Sequence, residues 1–364
     1  MRKKIVILAN NDVGLYQFRK ELLNKLIEMG NEVYISLPSG KLVQPLVNAG
    51  CKFINTPVDR RGINPKTDLG LIHNYFKILR KIKPDLVITY TIKPNVYGGF
   101  VCRIKKIPYA VNITGLGTAF QNDGILKKFV IFLYKTAVKR AKVIFFENSG
   151  NMHIFDKLGI CKKREQCKLL NGAGVNLDYY YYSKYPEEDT PVHFLFVGRI
   201  MKEKGVDELF EAMEKLHRMG EKCVLDMVGG YEENYSLIIE SKQQAGWLNY
   251  YGYQEDVRPF IEKCHCFVLP SWHEGMANTN LECASMGRPL ITSDIPGCRE
   301  AVIKDKNGFL CESQNSESLY KKMLKFLSLP QTERKKMGQA GRKHMEKVFD
   351  KNVVVAETIE RLGF

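Results

Sequence analysis

No stretch of this 364-residue chain approaches the roughly 20 apolar residues that a membrane-spanning helix needs, the densest run being FVIFLY at 129–134. The amino terminus, MRKKIVILANND, is too short in its apolar part for a secretory signal, because Asn10, Asn11 and Asp12 end the run. It reads instead as the first strand of a sheet. Low-complexity tracts are missing, and 45% hydrophobic against 26% charged residues is a globular balance throughout. Zinc-site spacing is missing as well: of the ten cysteines the closest two, Cys264 and Cys266, flank a histidine with no second pair to match. The cysteines fall mostly inside apolar runs, so they are expected to be reduced core residues of a cytoplasmic protein.

Acidic charge is scarce in one half only. Residues 1–175 carry 30 Lys and Arg against 11 Asp and Glu, whereas residues 176–364 carry 25 against 29. The net charge of +15 therefore belongs to the first half, which suits an anionic membrane, a polyanionic substrate or nucleic acid. Nucleic acid is the weakest of these, because the lysines form no recognisable binding motif and the aromatics sit within strand and helix patterns.

The length suits two domains better than one core. KIVILAN and EVYISLP read as strands, separated by FRKELLNKLIEMG, whose Leu22, Leu23, Leu26 and Ile27 recur at helical spacing before Gly30. KFINTPV, DLVITYT, YAVNIT and KVIFFEN continue the series with crossovers between them. A second series begins near residue 192 with HFLFVGR, CVLDMVGG, HCFVLP and PLITSD, and the helical segments VDELFEAMEKLHRMG and ESLYKKMLKFLSL fit around it. Between the two lies NGAGVNLDYYYYSKYPEEDTP, whose composition suits a hinge, and VFDKNVVVAETIERLGF looks like a terminal helix after a break. The pattern predicts two doubly wound, Rossmann-like α/β domains facing across a cleft, with ligands at the carboxyl ends of the strands. The expected boundaries are 1–172, 173–345, and a helix over 346–364 able to cross back onto the first domain.

Candidate chemistry gathers at strand ends of the second half. VGRIMKEKG puts Gly198, Arg199 and Lys204 between a strand and a helix, an arrangement that can grip phosphate oxygens. HEGMANTNLE places Glu274 and Glu282 eight positions apart. Thr279 and Glu282 have capping-box spacing. Gly275 would let backbone approach a ligand, and the amides of Met276, Ala277 and Asn278 would be free to donate to a phosphate or a sugar hydroxyl. Glu282, one turn into the helix, suits the two hydroxyls of a ribose, and Glu274 a sugar hydroxyl or a developing positive charge. Two cations for a diphosphate and two acids for sugars make a nucleotide-sugar site.

These motifs, with NGAGVNLDYY at the junction and GYQEDV at 252–257, resemble the retaining glycosyltransferases of family four, which have the GT-B fold. The segments GLYQFRKELLNKLIEMGNEVYI, YTIKPNVYG and NITGLGTAF are similar to the bacterial subgroup that builds capsule, exopolysaccharide or lipid-linked glycans. The resemblance implies that Arg199 and Lys204 bind the donor diphosphate, Glu282 the ribose and Glu274 the donor sugar. Gly252 and Tyr253 would then lie by the base. It also implies no metal and no cofactor, the cations and helix terminus doing the work of a divalent ion. Relatives often carry paired glycines in a first-domain loop, where NNDVGLYQF has only Gly14, which the resemblance places among the donor-binding residues, and a histidine where this chain has Asn112, Thr114, Gly115 and Gly117 on the acceptor side. No general base is assigned on these grounds.

ILKKFVIFLYKTAVKRAKV at 125–143 sets Lys127, Lys128, Lys135, Lys139, Arg140 and Lys142 around Leu126, Val130, Leu133 and Ala137. A basic amphipathic helix of this kind can lie on an anionic membrane. The chain is therefore expected to be a cytoplasmic enzyme, peripheral on the inner face of the cell membrane. It would move a sugar from a nucleoside-diphosphate donor, UDP first, to a polyprenyl-diphosphate-linked saccharide. Two alternatives share the composition: a non-hydrolysing UDP-sugar 2-epimerase, which needs no acceptor, and a non-catalytic basic scaffold for membranes or polyanions.

Overall fold

In a computed structural model, residues 2–59, 62, 64–117, 120, 124–187 and 191–364 are described. Residues 118 and 119 of the NITGLGTAF segment and 188–190 of the junction lie outside them. The chain divides into two compact units, Met1–Ala173 with Asn352–Phe364, and Gly174–Lys351.

The first unit is a seven-stranded parallel sheet of β1 (Lys4–Leu8), β2 (Glu32–Leu37), β3 (Lys52–Asn55), β4 (Leu86–Tyr90), β5 (Tyr109–Ile113), β6 (Val143–Phe146) and β7 (Cys167–Leu169), in the order β3-β2-β1-β4-β5-β6-β7. Its crossovers hold α1 (Asp12–Glu28), α2 (Val43–Asn48), α3 (Pro65–Ile82), α4 (Gly99–Lys105), α5 (Ile125–Ala137) and α6 (Ser149–Lys157). Alternation along β1 fills both sides: Val6 and Leu8 enter one core, Ile5 and Ile7 the other. That is why the strand reads as an unbroken apolar run. The strand order reverses between β1 and β4, the crevice at which open sheets of this kind take ligands.

The second unit is a six-stranded parallel sheet of β8 (Val192–Val197), β9 (Cys223–Val228), β10 (Leu248–Tyr250), β11 (Cys266–Leu269), β12 (Leu290–Ser293) and β13 (Gly308–Cys311), in the order β10-β9-β8-β11-β12-β13. Around it lie α7 (Val206–Arg218), α8 (Ser236–Gln244), α9 (Arg258–Lys263), α10 (Asn278–Ser285), α11 (Ser316–Leu327) and α12 (Gln331–His344). Here the order reverses between β8 and β11. The chain ends in α13 (Lys351–Leu362), whose Ile359 and Leu362 join the first unit's core, where the Lys142 ammonium donates to the Leu362 carbonyl at 2.8 Å.

Several local expectations change. The first helix starts at Asp12, six residues before FRKELL, because the Asn11 side chain caps it by accepting from the Gly14 amide at 2.6 Å. Gly14 therefore belongs to a helical turn. The 125–143 segment is shorter as a helix than expected: α5 stops at Ala137, a tight turn covers Val138–Arg140, and Lys142 is tied to the terminal helix. Its apolar residues also split. Val130, Tyr134 and Ala137 are buried, whereas Ile125, Leu126, Phe129 and Phe132 are 89%, 46%, 54% and 63% exposed. The tyrosine-rich junction is docked: Tyr179 stacks on Arg258, the Tyr181 hydroxyl donates to Glu262 at 2.6 Å, and Tyr185 donates to the His265 carbonyl. Among the described residues no helix is long and apolar enough to cross a membrane.

Candidate active site

Two loops meet at the carboxyl ends of β8 and β11. The first leaves β8 through Gly198 and Arg199 and ends at Gly205, whose backbone is left-handed at φ +72. A Cβ at Gly205 would lie 2.2 Å from the Pro270 carbonyl oxygen, so only glycine lets the loop press on the segment that leaves β11. Two more contacts lace them together: the Trp272 amide donates to the Glu203 carbonyl at 3.0 Å, and the His273 imidazole stands 3.4 Å from the Glu203 carboxylate. A further close approach lies beneath. The Gly198 carbonyl occupies the place a side chain would take at Gly229, leaving room for no Cβ there.

This lacing brings Lys204 and Glu274 together, 70 residues apart in sequence. The Lys204 ammonium is 2.5 Å from Glu274 Oε1, and the Ser271 hydroxyl donates to the same oxygen at 2.8 Å. Both charged side chains are largely buried. Ser271 was not anticipated, though a hydroxyl three residues before an acid in a loop is a recognisable signal. Arg199 differs: it is half-exposed, with its guanidinium 3.6 Å from the Glu232 carboxylate, and remains accessible to an anion.

Glu282 sits inside α10 and does not act as the cap of a capping box. The helix begins at Asn278 with Ala277 as its cap and no side-chain bond, so Thr279 lies within the first turn and cannot cap it. The reason is Gly297, whose carbonyl accepts from the Ala277 amide at 2.7 Å and starts the turn early. The Asn278 amide turns back onto the Met276 carbonyl at 3.0 Å. The amides of Ala277 and Asn278 are thus committed within the protein, contrary to the expectation that they would be free for a ligand. Gly297, at φ +90, packs against the Glu274 and Gly275 carbonyls, 2.8 Å from where its Cβ would be. The Asn278 Oδ1 is buried without a partner among the described residues.

The Tyr180 hydroxyl stands beside Glu282 and favours its ionised form, a neighbour supplied by the junction that sequence reasoning missed. Burial pushes its carboxyl up to about 7, against the opposing effects of Tyr180 and the nearby Lys351 ammonium. A carboxyl poised there can ionise when hydroxyl donors arrive. Gly252, left-handed at φ +68, gives its carbonyl to the Gly229 amide, and Tyr253 beside it is 66% exposed.

In the first unit Asn112 is a buried strut on β5. Its amide donates to the Thr89 carbonyl at 3.2 Å, and its carbonyl accepts from Asn95 at 2.7 Å. Thr114 is half-buried, and Gly115 and Gly117 have positive φ, 149 and 67. A Cβ at Gly117 would stand 2.7 Å from Ile92. All ten cysteines are free and nine are buried, and among the described residues no group of His, Cys, Asp and Glu could hold a metal ion.

Comparison with known proteins fits both units. Residues 182–344 match the family "Glycosyl transferases group 1", and residues 4–148 match "Glycosyl transferase 4-like". The N,N'-diacetylbacillosaminyl-diphospho-undecaprenol alpha-1,3-N-acetylgalactosaminyltransferase of Campylobacter jejuni is 28% identical, with 88% of each chain covered. The capsular polysaccharide biosynthesis glycosyltransferase CapM of Staphylococcus aureus is 24% identical over 97% of this chain and 94% of its own. A glycosyltransferase of Rickettsia africae superposes with a TM-score of 0.80 at 19% identity, covering 99% and 98% of the two chains. Anabaena HepE, solved with UDP and glucose, has a TM-score of 0.80 at 15% identity and 99% coverage of both, which bears on the fold alone. With a glycosyltransferase family domain on each of its two sheets, the chain is a glycosyltransferase of GT-B architecture, similar to enzymes that build bacterial capsule and lipid-linked glycans.

Proposed function

We propose that the second unit binds a UDP-sugar and that the enzyme transfers its sugar, with retention, to a polyprenyl-diphosphate-linked saccharide held by the first unit. The observation that carries this reading is the Lys204–Glu274 pair at the reversal point of the second sheet, with accessible Arg199 on the same loop. Without ligand Glu274 neutralises Lys204. A donor diphosphate brings more negative charge than one carboxylate, so Lys204 and Arg199 pass to its oxygens and Glu274 is released to a hydroxyl of the donor sugar. These cations do the work of a divalent ion, and activity in excess EDTA is the corresponding check. Glu282 accepts from the ribose hydroxyls and ionises as it does so.

In the transfer the bond between the sugar's anomeric carbon and the diphosphate oxygen breaks. The acceptor oxygen bonds to the same face, and its proton leaves with the diphosphate, so no protein base is required. The name of the Campylobacter relative, which carries a diphospho-undecaprenol acceptor, supports the acceptor class. Support for a membrane site comes from α5, where Ile125, Leu126, Phe129 and Phe132 are exposed beside Lys127 and Lys128. Burying such a side chain in lipid is worth about 1.5–3 kcal/mol, and each surface lysine adds about 1 kcal/mol on an anionic leaflet.

Arg199→Ala and Glu282→Ala are expected to lose most transfer while circular dichroism and melting show an intact fold. Full activity in both would remove this site assignment. Proton NMR of the first product formed reads the anomer, and inversion would refute retention.

A further inference from the structure

The first unit contains a buried ion pair. Arg19, on α1, bonds through its guanidinium to Glu147, the first residue beyond β6, and each side chain keeps only 10% of its surface open. The guanidinium also lies over the Tyr90 ring, 4.9 Å from its centroid, at the last residue of β4. Removing two such charges from water costs about as much as their attraction returns, and apolar residues of similar size commonly serve a fold as well or better. The pair stands at the carboxyl edge of the sheet, joining the helix after β1 to the ends of β4 and β6.

A second irregularity lies one residue further on. Thr91 is left-handed at φ +73, a conformation that is strained for a β-branched residue, and its hydroxyl is buried with no hydrogen-bond partner among the described residues. The chain then enters a single wide π-turn, Pro94–Gly98, another feature that concentrates at functional sites. Strain, an orphan hydroxyl and a buried ion pair thus meet at one strand end.

We propose that Arg19, Glu147 and Thr91 form a subsite for the saccharide of the acceptor, resting on the transferase reading above. Arg19 fixes the Glu147 carboxylate, which accepts a hydrogen bond from a sugar hydroxyl, and the Thr91 hydroxyl takes a second. The chemistry favours a neutral polyhydroxyl ligand over a phosphate. Glu147 already neutralises Arg19, and its carboxylate would repel a dianion.

The test uses the full-length protein, with farnesyl-diphosphate-linked N-acetylhexosamine as acceptor probe. The double variant Arg19→Met, Glu147→Leu removes both charges together. It is expected to melt within a few degrees of the wild type and to bind UDP equally. Its acceptor KM is expected to rise about tenfold to a hundredfold, the effect of losing a hydrogen bond to a charged group. Thr91→Gly relieves the strain, so its melting temperature should hold or rise while acceptor KM rises; Thr91→Ser should keep the wild-type KM. Should the double variant fail to fold, the Thr91 pair decides by the same readout. Wild-type acceptor KM in both the double variant and Thr91→Gly would make these groups purely structural and overturn the proposal. Saturation-transfer NMR on the probe's sugar protons separates the two layers. A signal present in the wild type and lost in the variants, without any donor turnover, would retain the subsite and reject the transferase reading. No signal in the wild type would reject the subsite.

Discussion

Glu282→Gln is expected to make the ligand-free protein more stable at pH 8 while changing it little at pH 4.5. Burial raises the Glu282 carboxyl from its ordinary 4.5 to about 7 in the folded protein. A raised folded-state value means that the stabilising effect of the neutral form is complete below 4.5 and is lost as pH climbs through 7. The window is about 2.5 units wide, and at about 1.4 kcal/mol per unit it corresponds to about 3 kcal/mol. Glu282 keeps part of its surface, so about 2 kcal/mol is the working figure after solvent screening. Glutamine cannot ionise, and any pH-independent effect on Tyr180 or Lys351 cancels when two pH values are compared. Urea unfolding of wild type and variant at pH 4.5, 6 and 8 gives the difference directly. A stability difference that stays flat across this range would show that the Glu282 carboxyl is not raised by folding. UDP affinity should move the other way, falling in the more stable variant, as is common where a site is held in an unfavourable state.

Glu274→Gln should release the Lys204 charge, so UDP is expected to bind several-fold tighter by calorimetry while sugar transfer falls; weaker UDP binding would contradict the competition described for Lys204. Gly205→Ala, with φ +72 and a Cβ 2.2 Å from the Pro270 oxygen, should cost the second unit about 2–4 kcal/mol and lower UDP affinity. An unchanged melting temperature would show that the two loops are not pressed together. Phe129→Ser with Phe132→Ser should abolish the salt-resistant part of binding to vesicles containing anionic lipid, whereas Lys127→Gln with Lys128→Gln should remove the salt-sensitive part. Vesicle binding unaffected by either pair would take α5 away from the membrane.

The parallel sheets were legible because buried strands such as KIVIL, LVITY and CFVL are continuous apolar runs bounded by turns. β7, β10 and β13 were not, being three or four residues long, with too little pattern to separate from loop. Helix starts were less legible than helices: Asn11 caps α1 seven residues before FRKELL, and Gly297, far along the chain, decides where α10 starts. The same limit applies to the candidate site. Lys204 and Glu274 could each be named from their loops, but their 2.5 Å contact depends on Gly205 seating against Pro270, which no local pattern encodes. Tyr180 could not be paired with Glu282, because a run of four tyrosines looks alike until the fold selects one. On α5 the sequence pattern merged two apolar faces that the structure separates, one buried at Val130 and Tyr134 and one exposed at Phe129 and Phe132.

Sugar transfer from a nucleotide donor to a lipid-linked acceptor can be read from a donor panel. UDP-, GDP- and ADP-sugars would be incubated with the purified protein, with and without extracted polyprenyl-diphosphate saccharides, following nucleotide release and lipid-product mass. The expected result is release of UDP that depends on the acceptor, with a matching mass increment of one sugar on the lipid. Conversion of the donor to another sugar nucleotide without any acceptor would contradict it and establish an epimerase.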